Sequence, residues 1–205
     1  MDEYLTVKED SLAEIVIDRS RFIAVLKHIE TEEQAAQFLA LKRSEHYNAR
    51  HNVYAYRLSD GEARFSDDGE PHSTAGKPVM DVISGAGLYD VMIVVTRYFG
   101  GILLGTGGLV RAYSSSAQKA VGAANIVRMT ECAFMSINCE YPYLEPLRSF
   151  LQGENCSIGN IEYSNSVKLN FSVENCRKDY LIDRITDAFS GRITVNVEKT
   201  EFSAI

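Results

Sequence analysis

The chain has 205 residues, of which 45% are hydrophobic and 24% are charged, and its formal net charge at pH 7 is −7. This composition is typical of a soluble globular protein, and the acidic balance argues against a broad basic surface for nucleic acid. Since no apolar run approaches the ~20 residues that span a bilayer and the acidic N-terminus lacks a signal-peptide pattern, the sequence predicts a cytoplasmic protein without membrane contacts.

Apolar spacing and turn residues predict the elements of the N-terminal part. A capping box formed by Thr31 and Gln34 starts a helix that runs to about Glu45. A second helix has Pro78 in its first turn and Gly87 near its end. The other predicted elements are strands over 5–7, 12–17, 22–26 and 53–58, the last followed by a turn at Asp60 and Gly61.

A valine-rich strand and a glycine-rich loop follow. The segment from Asp90 to Tyr98 is almost continuously apolar, which predicts a strand buried on both faces. After Gly108, apolar residues recur at helical spacing as far as Ala124. The glycines between strand and helix are Gly100, Gly101, Gly105, Gly107 and Gly108. Such a helix start offers unpaired N–H groups to an anion, although glycines also serve simply to let a helix pack closely.

After Arg128 the pattern changes to short strands and helices in the order βαββαβ, which is the ferredoxin-like pattern. The composition shift near residues 125–131 predicts a domain boundary, with domains at 1–128 and 129–205. Within the second domain, the apolar residues of the strand over 167–173 alternate with polar ones. We therefore expect Val167, Leu169, Phe171 and Val173 to point toward two helices on one face of a four-stranded antiparallel sheet.

The cysteines give no sign of a metal site. They are widely spaced, without a Cys-x-x-Cys pair or a histidine at ligand spacing: Cys132, Cys139, Cys156 and Cys176. Disulfides are possible in principle, but a chain without an export signal is expected to keep buried or free thiols. The sequence predicts neither a metal nor a cofactor.

Four motifs carry a resemblance to a known family. They are the segments Ser20–Ile23, Ala49–Arg57, Arg64–Pro78 and Val94–Tyr113. In this order they resemble the YigZ/IMPACT family over most of residues 18–120. The resemblance implies an α+β protein of two domains. The N-terminal fold would be like domain 2 of a small-subunit ribosomal protein, and the ferredoxin-like C-terminal fold would be like domain V of elongation factor G.

Two of the family motifs contain the candidate binding residues. These are Asp67, Asp68, Glu70, His72, Thr74, Lys77, Arg97, Tyr98, Gly100, Gly101, Gly105, Gly107, Gly108 and Arg111. The acidic cluster suits a divalent metal or a general base, but Asp-Gly and Glu-Pro are also turn chemistry. The two arginines suit an oxyanion, or else an ion pair with one of these acids. We expect the two motifs to converge on one face of the N-terminal domain.

The chain also departs from the family pattern. The family predicts a lysine at Leu103, glycines at Ser73 and Ser114, and a cysteine at Val53. Losing that lysine weakens the case for nucleic acid. We expect RNA binding to be weak and phosphate-directed if it occurs, through Arg97, Arg111 and Lys119.

Two functions remain open at this point. Eukaryotic members of the family act in translational control under amino-acid starvation by competing for a protein partner. The resemblance therefore favours a translation-associated binding or regulatory protein that contacts a protein partner or the ribosome and is not an enzyme. The alternative is a small-molecule or phosphate-dependent enzyme built on Asp67, Asp68 and Glu70 together with the loop Gly100–Gly108. The sequence leaves the oligomeric state open.

Overall fold

The structure is a computed structural model that describes residues 3–204, and it has two sheets and five α-helices in that range. The chain divides into two compact units, Glu3–Arg128 and 129–204. The mixed α+β class and the two-domain organisation predicted from the sequence are confirmed. Within the described range, no helix is both long enough and apolar enough to cross a membrane.

The first unit is built on a five-stranded antiparallel sheet with the order β2-β3-β6-β4-β5. Its elements are β1 (Glu3–Val7), β2 (Ser11–Ile17), β3 (Ser20–His28), α1 (Glu32–Glu45), β4 (His51–Arg57), β5 (Ala63–Ser66), α2 (Gly76–Gly85), β6 (Val91–Tyr98) and α3 (Gly105–Ala123). The capping residue predicted for α1 is present, because Thr31 Oγ1 accepts a hydrogen bond from the Gln34 backbone N–H.

The central strand β6 is covered on both faces, as its sequence predicted. Val91, Ile93 and Val95 belong to the core that α2 and α3 complete. Met92 and Val94 belong to a second core, which contains α1 residues. Because residues alternate between the faces of a strand, a strand buried on both faces needs apolar residues at every position. The sheet therefore lies between α1 and the pair α2 and α3.

Two elements of the first unit differ from the sequence prediction. The strand β5 was not predicted, because it is an edge strand that pairs with β4 alone and shows no alternation of burial. The helix α3 begins at Gly105 rather than after Gly108. Three of the five glycines, Gly105, Gly107 and Gly108, therefore belong to its first turn and not to the preceding loop.

The second unit shows the predicted βαββαβ order. Its elements are β7 (Ile126–Cys139), α4 (Tyr141–Gly153), β8 (Ser157–Tyr163), β9 (Val167–Glu174), a 3₁₀ turn (Asn175–Arg177), α5 (Lys178–Ala188) and β10 (Val195–Ala204). The strands β10, β7, β9 and β8 are antiparallel neighbours in that order. The strand β7 starts before the predicted boundary, at Ile126.

The inward face predicted for β9 is confirmed. Val167, Leu169, Phe171 and Val173 are buried in one core with the apolar faces of α4 and α5. That core includes Leu147 and Leu151 from α4 and Leu181 and Ile185 from α5. Burying one such side chain stabilises a protein by about 1.5–3 kcal/mol, so a shift of one residue in the register of β9 would be strongly disfavoured.

Candidate functional site

Asp67 closes the loop between β5 and α2. Its carboxylate accepts hydrogen bonds from the backbone N–H groups of Ser73 (2.8 Å), Ala75 (3.0 Å) and Gly76 (2.8 Å). The N-cap position of α2 is Ala75, which has no side-chain acceptor of its own. Asp67 therefore supplies from a distance the acceptor that the first N–H groups of a helix require.

Asp68 ties the same loop to β4 and α1. One carboxylate oxygen accepts from the Asn52 backbone N–H at 2.7 Å, and the other accepts from the Arg43 guanidinium at 2.6 Å. Both aspartates thus act as loop-closing acceptors, which supports the turn interpretation over a metal or general-base role. Among residues 3–204, no group of three or more histidine, cysteine, aspartate or glutamate side chains is arranged to hold a metal ion.

Glu70 is the member of the acidic cluster that points inward, where it forms a buried ion pair. Its Oε1 lies 2.6 Å from Arg97 Nη1 and accepts a hydrogen bond from the Tyr113 hydroxyl at 2.8 Å. The side chains of Glu70 and Arg97 are only 4% and 6% exposed. Burial, and then the Glu70 charge, raise the pKa of Tyr113, so that this hydroxyl stays protonated as a donor.

His51 extends this network. Its Nδ1 lies 2.7 Å from the carbonyl oxygen of Asp68, and because a carbonyl oxygen only accepts, Nδ1 carries the proton. The other ring nitrogen, Nε2, lies 3.8 Å from Glu70 Oε1. The loop 67–70 and the strand β4 together therefore hold the imidazole beside the buried carboxylate.

A cavity of about 370 Å³ lies against this network. Its walls are formed by Arg50, His51, Gly69, Glu70, Pro71, Arg97, Phe99, Leu103, Leu104, Gly105, Thr106 and Leu109. Residues of both family motifs line it, so parts of the two segments Asp67–Lys77 and Tyr98–Arg111 meet at this cavity. The first motif contributes Gly69, Glu70 and Pro71, and the second contributes Arg97, the loop before α3 and the start of α3.

The start of α3 forms one wall of the cavity. Its N-cap residue Leu104 makes no side-chain capping bond, and the first turn contains no acidic residue. Gly105 has a φ of 67°, a backbone conformation that L side chains rarely adopt. Gly100, earlier in the loop, packs directly against the backbone of Arg19 and Ser20.

Several of the predicted binding residues lie outside the cavity. His72 is exposed and contacts Ser73, the Thr74 hydroxyl donates to the Pro71 carbonyl, Lys77 pairs with Asp81, and the Tyr98 hydroxyl contacts His46. Arg111 is exposed on α3 with its guanidinium near Gly107. Arg97 is 5% exposed and paired with Glu70. The prediction that Arg97 would meet phosphates at the surface is therefore wrong, because its charge is buried and compensated.

Ser73 explains one departure from the family pattern. Its φ is 60°, in the left-handed region where glycine is unstrained and a residue with a Cβ costs ~1–2 kcal/mol. The glycine that the family predicts there suits the observed backbone. The chain keeps this conformation in part because the Ser73 N–H donates to Asp67.

Sequence reasoning missed two features of the cavity. Arg50 lies over the ring of Phe99, with 5.6 Å from its guanidinium carbon to the ring centre, and no carboxylate in the described chain pairs with it. The loop between β6 and α3 also exposes large apolar side chains, namely Phe99 (40%), Ile102 (41%) and Leu103 (87%). Arg50 belongs to the family motif Ala49–Arg57, which was the signal available in the sequence.

We expect Asp67→Ala to lower the free energy of unfolding by about 2 kcal/mol, because three backbone N–H groups lose their acceptor and α2 loses its cap. Urea denaturation followed by circular dichroism measures this. A suitable control is Asp60→Ala, since Asp60 accepts one N–H in an exposed turn. Equal losses in the two variants would contradict the capping role of Asp67.

Comparison with known proteins agrees with the motif analysis. The family model described as "Impact N-terminal domain" matches residues 18–121, and a "Domain of unknown function (DUF1949)" matches residues 137–192. The IMPACT family member YvyE of Bacillus subtilis is 35% identical over 194 residues, which cover 94% of this chain and 89% of that protein.

Other relatives extend this comparison. The IMPACT family member YigZ of Escherichia coli is 39% identical over 157 residues, covering 75% of this chain and 77% of that protein. The Protein IMPACT homolog of Dictyostelium discoideum is 41% identical over 95 residues, covering 42% and 26% respectively. A solved structure titled "Crystal structure of an hypothetical protein" is 32% identical, with a TM-score of 0.65, and covers 97% of this chain and 98% of that chain.

Proposed function

The chain belongs to the IMPACT family, and we propose that it is a binding protein of translational control that contacts a protein partner or the ribosome. The family resemblance implies the translational setting, which is cytoplasmic. The observation that carries the mode of action is the exposed apolar loop between β6 and α3. Two observations support the proposal. The loop exposes apolar side chains that a partner could bury, and the carboxylates near the cavity are engaged in structural hydrogen bonds.

The loop 99–104 presents exposed apolar side chains. Leu103 is 87% exposed, which makes it the most exposed large hydrophobic side chain of residues 3–204, and Phe99 and Ile102 lie beside it. A cluster of this kind is typical of a protein-interaction site. Arg50 and the cavity border the cluster, so that a partner would meet an apolar centre with a polar edge.

The two aspartates near the cavity are poorly placed for acid–base chemistry. Glu70 already accepts from Arg97 and Tyr113, while Asp67 and Asp68 are held by backbone N–H groups. The raised pKa of Tyr113 keeps its hydroxyl from acting as a base. A general base needs a free lone pair facing its substrate, and both carboxylate oxygens of Asp67 and of Asp68 are occupied by structural hydrogen bonds. This supports binding rather than catalysis.

RNA is a weaker candidate partner than protein. With Arg97 buried, Arg111 and Lys119 are the exposed cations that remain from the predicted phosphate contacts. Two such contacts give a log-affinity that falls by only about 2 units per tenfold rise in salt. The net charge of −7 opposes even that contact.

The test is cosedimentation with purified ribosomes at physiological salt. We expect Leu103→Asp to weaken binding by about tenfold to a hundredfold, because one leucine buried at an interface contributes ~1.5–3 kcal/mol. The matched control is Leu41→Asp, which changes a leucine that is 53% exposed on α1. If both variants still bind ribosomes, the loop is not the contact. If the unmodified protein does not bind ribosomes, the proposed partner is another protein, and affinity capture with the same pair of variants tests for it.

A further inference from the structure

The strand β2 forms one edge of the first sheet, where it pairs with β3 alone. Its side chains Ala13, Ile15 and Ile17 pack against the core that α2 and α3 complete. On the opposite face, Leu12 and Val16 are 62% and 65% exposed. Because an edge strand has unpaired backbone N–H and C=O groups, β2 is a place where a further strand can add to the sheet.

Two other sheet edges carry features that discourage such pairing. The strand β5, at the opposite edge of the first sheet, has only four residues and contains Arg64. The strand β8, at an edge of the second sheet, has a break in register between Ile158 and Ile161. Short strands, charged residues and bulges protect sheet edges. The strand β2 has seven residues in unbroken register and a single charged side chain, Glu14, so its edge is open by comparison.

The hairpin geometry fixes which backbone groups of β2 face outward. The turn between β2 and β3 has two residues, both with positive φ, as in a type I′ hairpin. The pair next to such a turn, Ile17 and Ser20, is hydrogen-bonded, and such pairs then alternate with non-hydrogen-bonded pairs along the strands. The backbone groups of Leu12, Glu14 and Val16 therefore point away from β3, where an added strand would use them.

A groove of about 730 Å³ lies between this edge and the helix α3. It is lined by Ala13 and Glu14 of β2 and by Ser115, Gln118, Lys119, Gly122 and Ala123 of α3. Successive side chains of a strand point to opposite faces, so a strand added to β2 would place every second side chain over this groove. There is room for them, since a Cβ at Gly122 would meet no heavy atom within 4 Å.

The charges of the groove indicate what the added strand carries. Glu14 is the only carboxylate among the lining residues, and its Oε1 accepts from Arg21 Nε at 2.6 Å. Lys119 is exposed on α3 and is the only cation among the lining residues. Since Glu14 is paired with Arg21 on the other face of the sheet, it leaves Lys119 available to an acidic side chain of the added strand.

A second copy of this chain is a poor occupant of the groove. If two β2 strands paired antiparallel about a two-fold axis at their midpoint, the two Glu14 side chains would lie directly opposite each other. Like charges in that position are destabilising. The net charge of −7 adds repulsion between copies. The charges therefore favour a different chain.

We propose that β2 and α3 bind an extended segment of a protein partner, which adds to the sheet as a strand beside β2. Apolar side chains of the segment lie beside Leu12 and Val16 on one face, and an acidic side chain faces Lys119 on the other. The groove shares no residue with the loop 99–104, so this inference does not rest on that loop as a contact.

Nuclear magnetic resonance of the isotope-labelled full chain tests the proposal. The probe is the capped peptide Val-Ser-Val-Asp-Val-Ser-Val, and the comparison peptide has lysine in place of aspartate. We expect the aspartate peptide to shift the amide signals of Leu12, Glu14 and Val16 and to slow their hydrogen exchange by about tenfold or more at saturation, because these N–H groups gain acceptors. The lysine peptide should bind about tenfold more weakly, because it repels Lys119.

Several outcomes would overturn the proposal. These are no change at the β2 amides with the aspartate peptide, equal binding of the two peptides, and shifts confined to the loop 99–104. Slowed exchange at the same amides without peptide, together with a concentration-dependent dimer in sedimentation velocity, would show that the occupant is a second copy. Failure of the ribosome experiment with Leu103→Asp would not affect these results, so the two proposals are separately testable.

Two substitutions at Glu14 separate its backbone from its side chain. Glu14→Pro removes the outward N–H, and proline is tolerated in an edge strand where that N–H faces solvent. It should weaken binding of the aspartate peptide by about tenfold, the effect of one lost hydrogen bond. Glu14→Ala loses the same carboxylate but keeps the N–H, so it should retain most of the binding. Equal losses in the two variants would exclude backbone pairing at β2.

Lys119→Glu tests the charge of the groove independently of the strand. The variant changes an exposed helix residue and is expected to fold. It should reverse the preference, so that the lysine peptide binds more tightly than the aspartate peptide. An unchanged preference would show that Lys119 does not face the bound segment.

Discussion

Replacing Glu70 by leucine is expected to lower the free energy of unfolding of the N-terminal unit by about 3–5 kcal/mol. The substitution leaves the Arg97 guanidinium, which is 5% exposed, without a counter-charge. It also removes the acceptor of the Tyr113 hydroxyl, which the raised pKa keeps protonated. Urea denaturation of the full chain, followed by tyrosine fluorescence and circular dichroism, measures the loss.

A double-mutant cycle shows whether the unpaired charge of Arg97 causes this loss of stability. The double variant Glu70→Leu/Arg97→Met removes both charges, so it should be more stable than Glu70→Leu alone, since no buried charge remains unpaired. The exposed pair of Glu14 and Arg21 is the control, and Glu14→Gln should change stability little because water screens that pair. Additive losses in the double variant would show that Glu70 and Arg97 do not stabilise each other.

Much of the fold follows from patterns within single segments. The double-sided burial of β6, the inward face of β9 and the start of α1 were each visible as local periodicity or a capping box. Such patterns are reliable because the regular geometry of a helix or strand fixes which side chains face the core and which face solvent. The strand β5 was not predicted, because an edge strand with both faces exposed shows no alternation of apolar and polar residues.

The site depends on pairings between distant segments, which composition and spacing do not specify. Three acids were equally available to Arg97, and the choice of Glu70 was decided by the loop that Asp67 and Asp68 close. One signal was nevertheless present. Arg97 continues the parity of Val91, Ile93 and Val95, which all point into the core. An arginine at that parity in a strand buried on both faces indicates a buried ion pair rather than a surface cation.

The loop that forms the cavity depends on Gly100, and Gly100→Ala is expected to destabilise the protein by about 3 kcal/mol or more. A Cβ at this position would lie 2.0 Å from the carbonyl carbon of Arg19, 2.2 Å from its oxygen and 2.4 Å from Ser20 N. These are backbone atoms of the hairpin between β2 and β3, so no side-chain rotation relieves the clash. The hydrogen bond from the Gly100 N–H to Ser20 Oγ, 3.2 Å long, would be lost as the loop moved away.

Thermal unfolding of Gly100→Ala, compared with Gly122→Ala, tests this. A Cβ at Gly122 would meet no heavy atom within 4 Å, and the residue lies in α3, so alanine there should stabilise the protein by about 0.5–1 kcal/mol. The two substitutions add the same methyl group and should shift the melting temperature in opposite directions. An unchanged melting temperature of Gly100→Ala would show that the contact with Arg19 does not hold the loop in place.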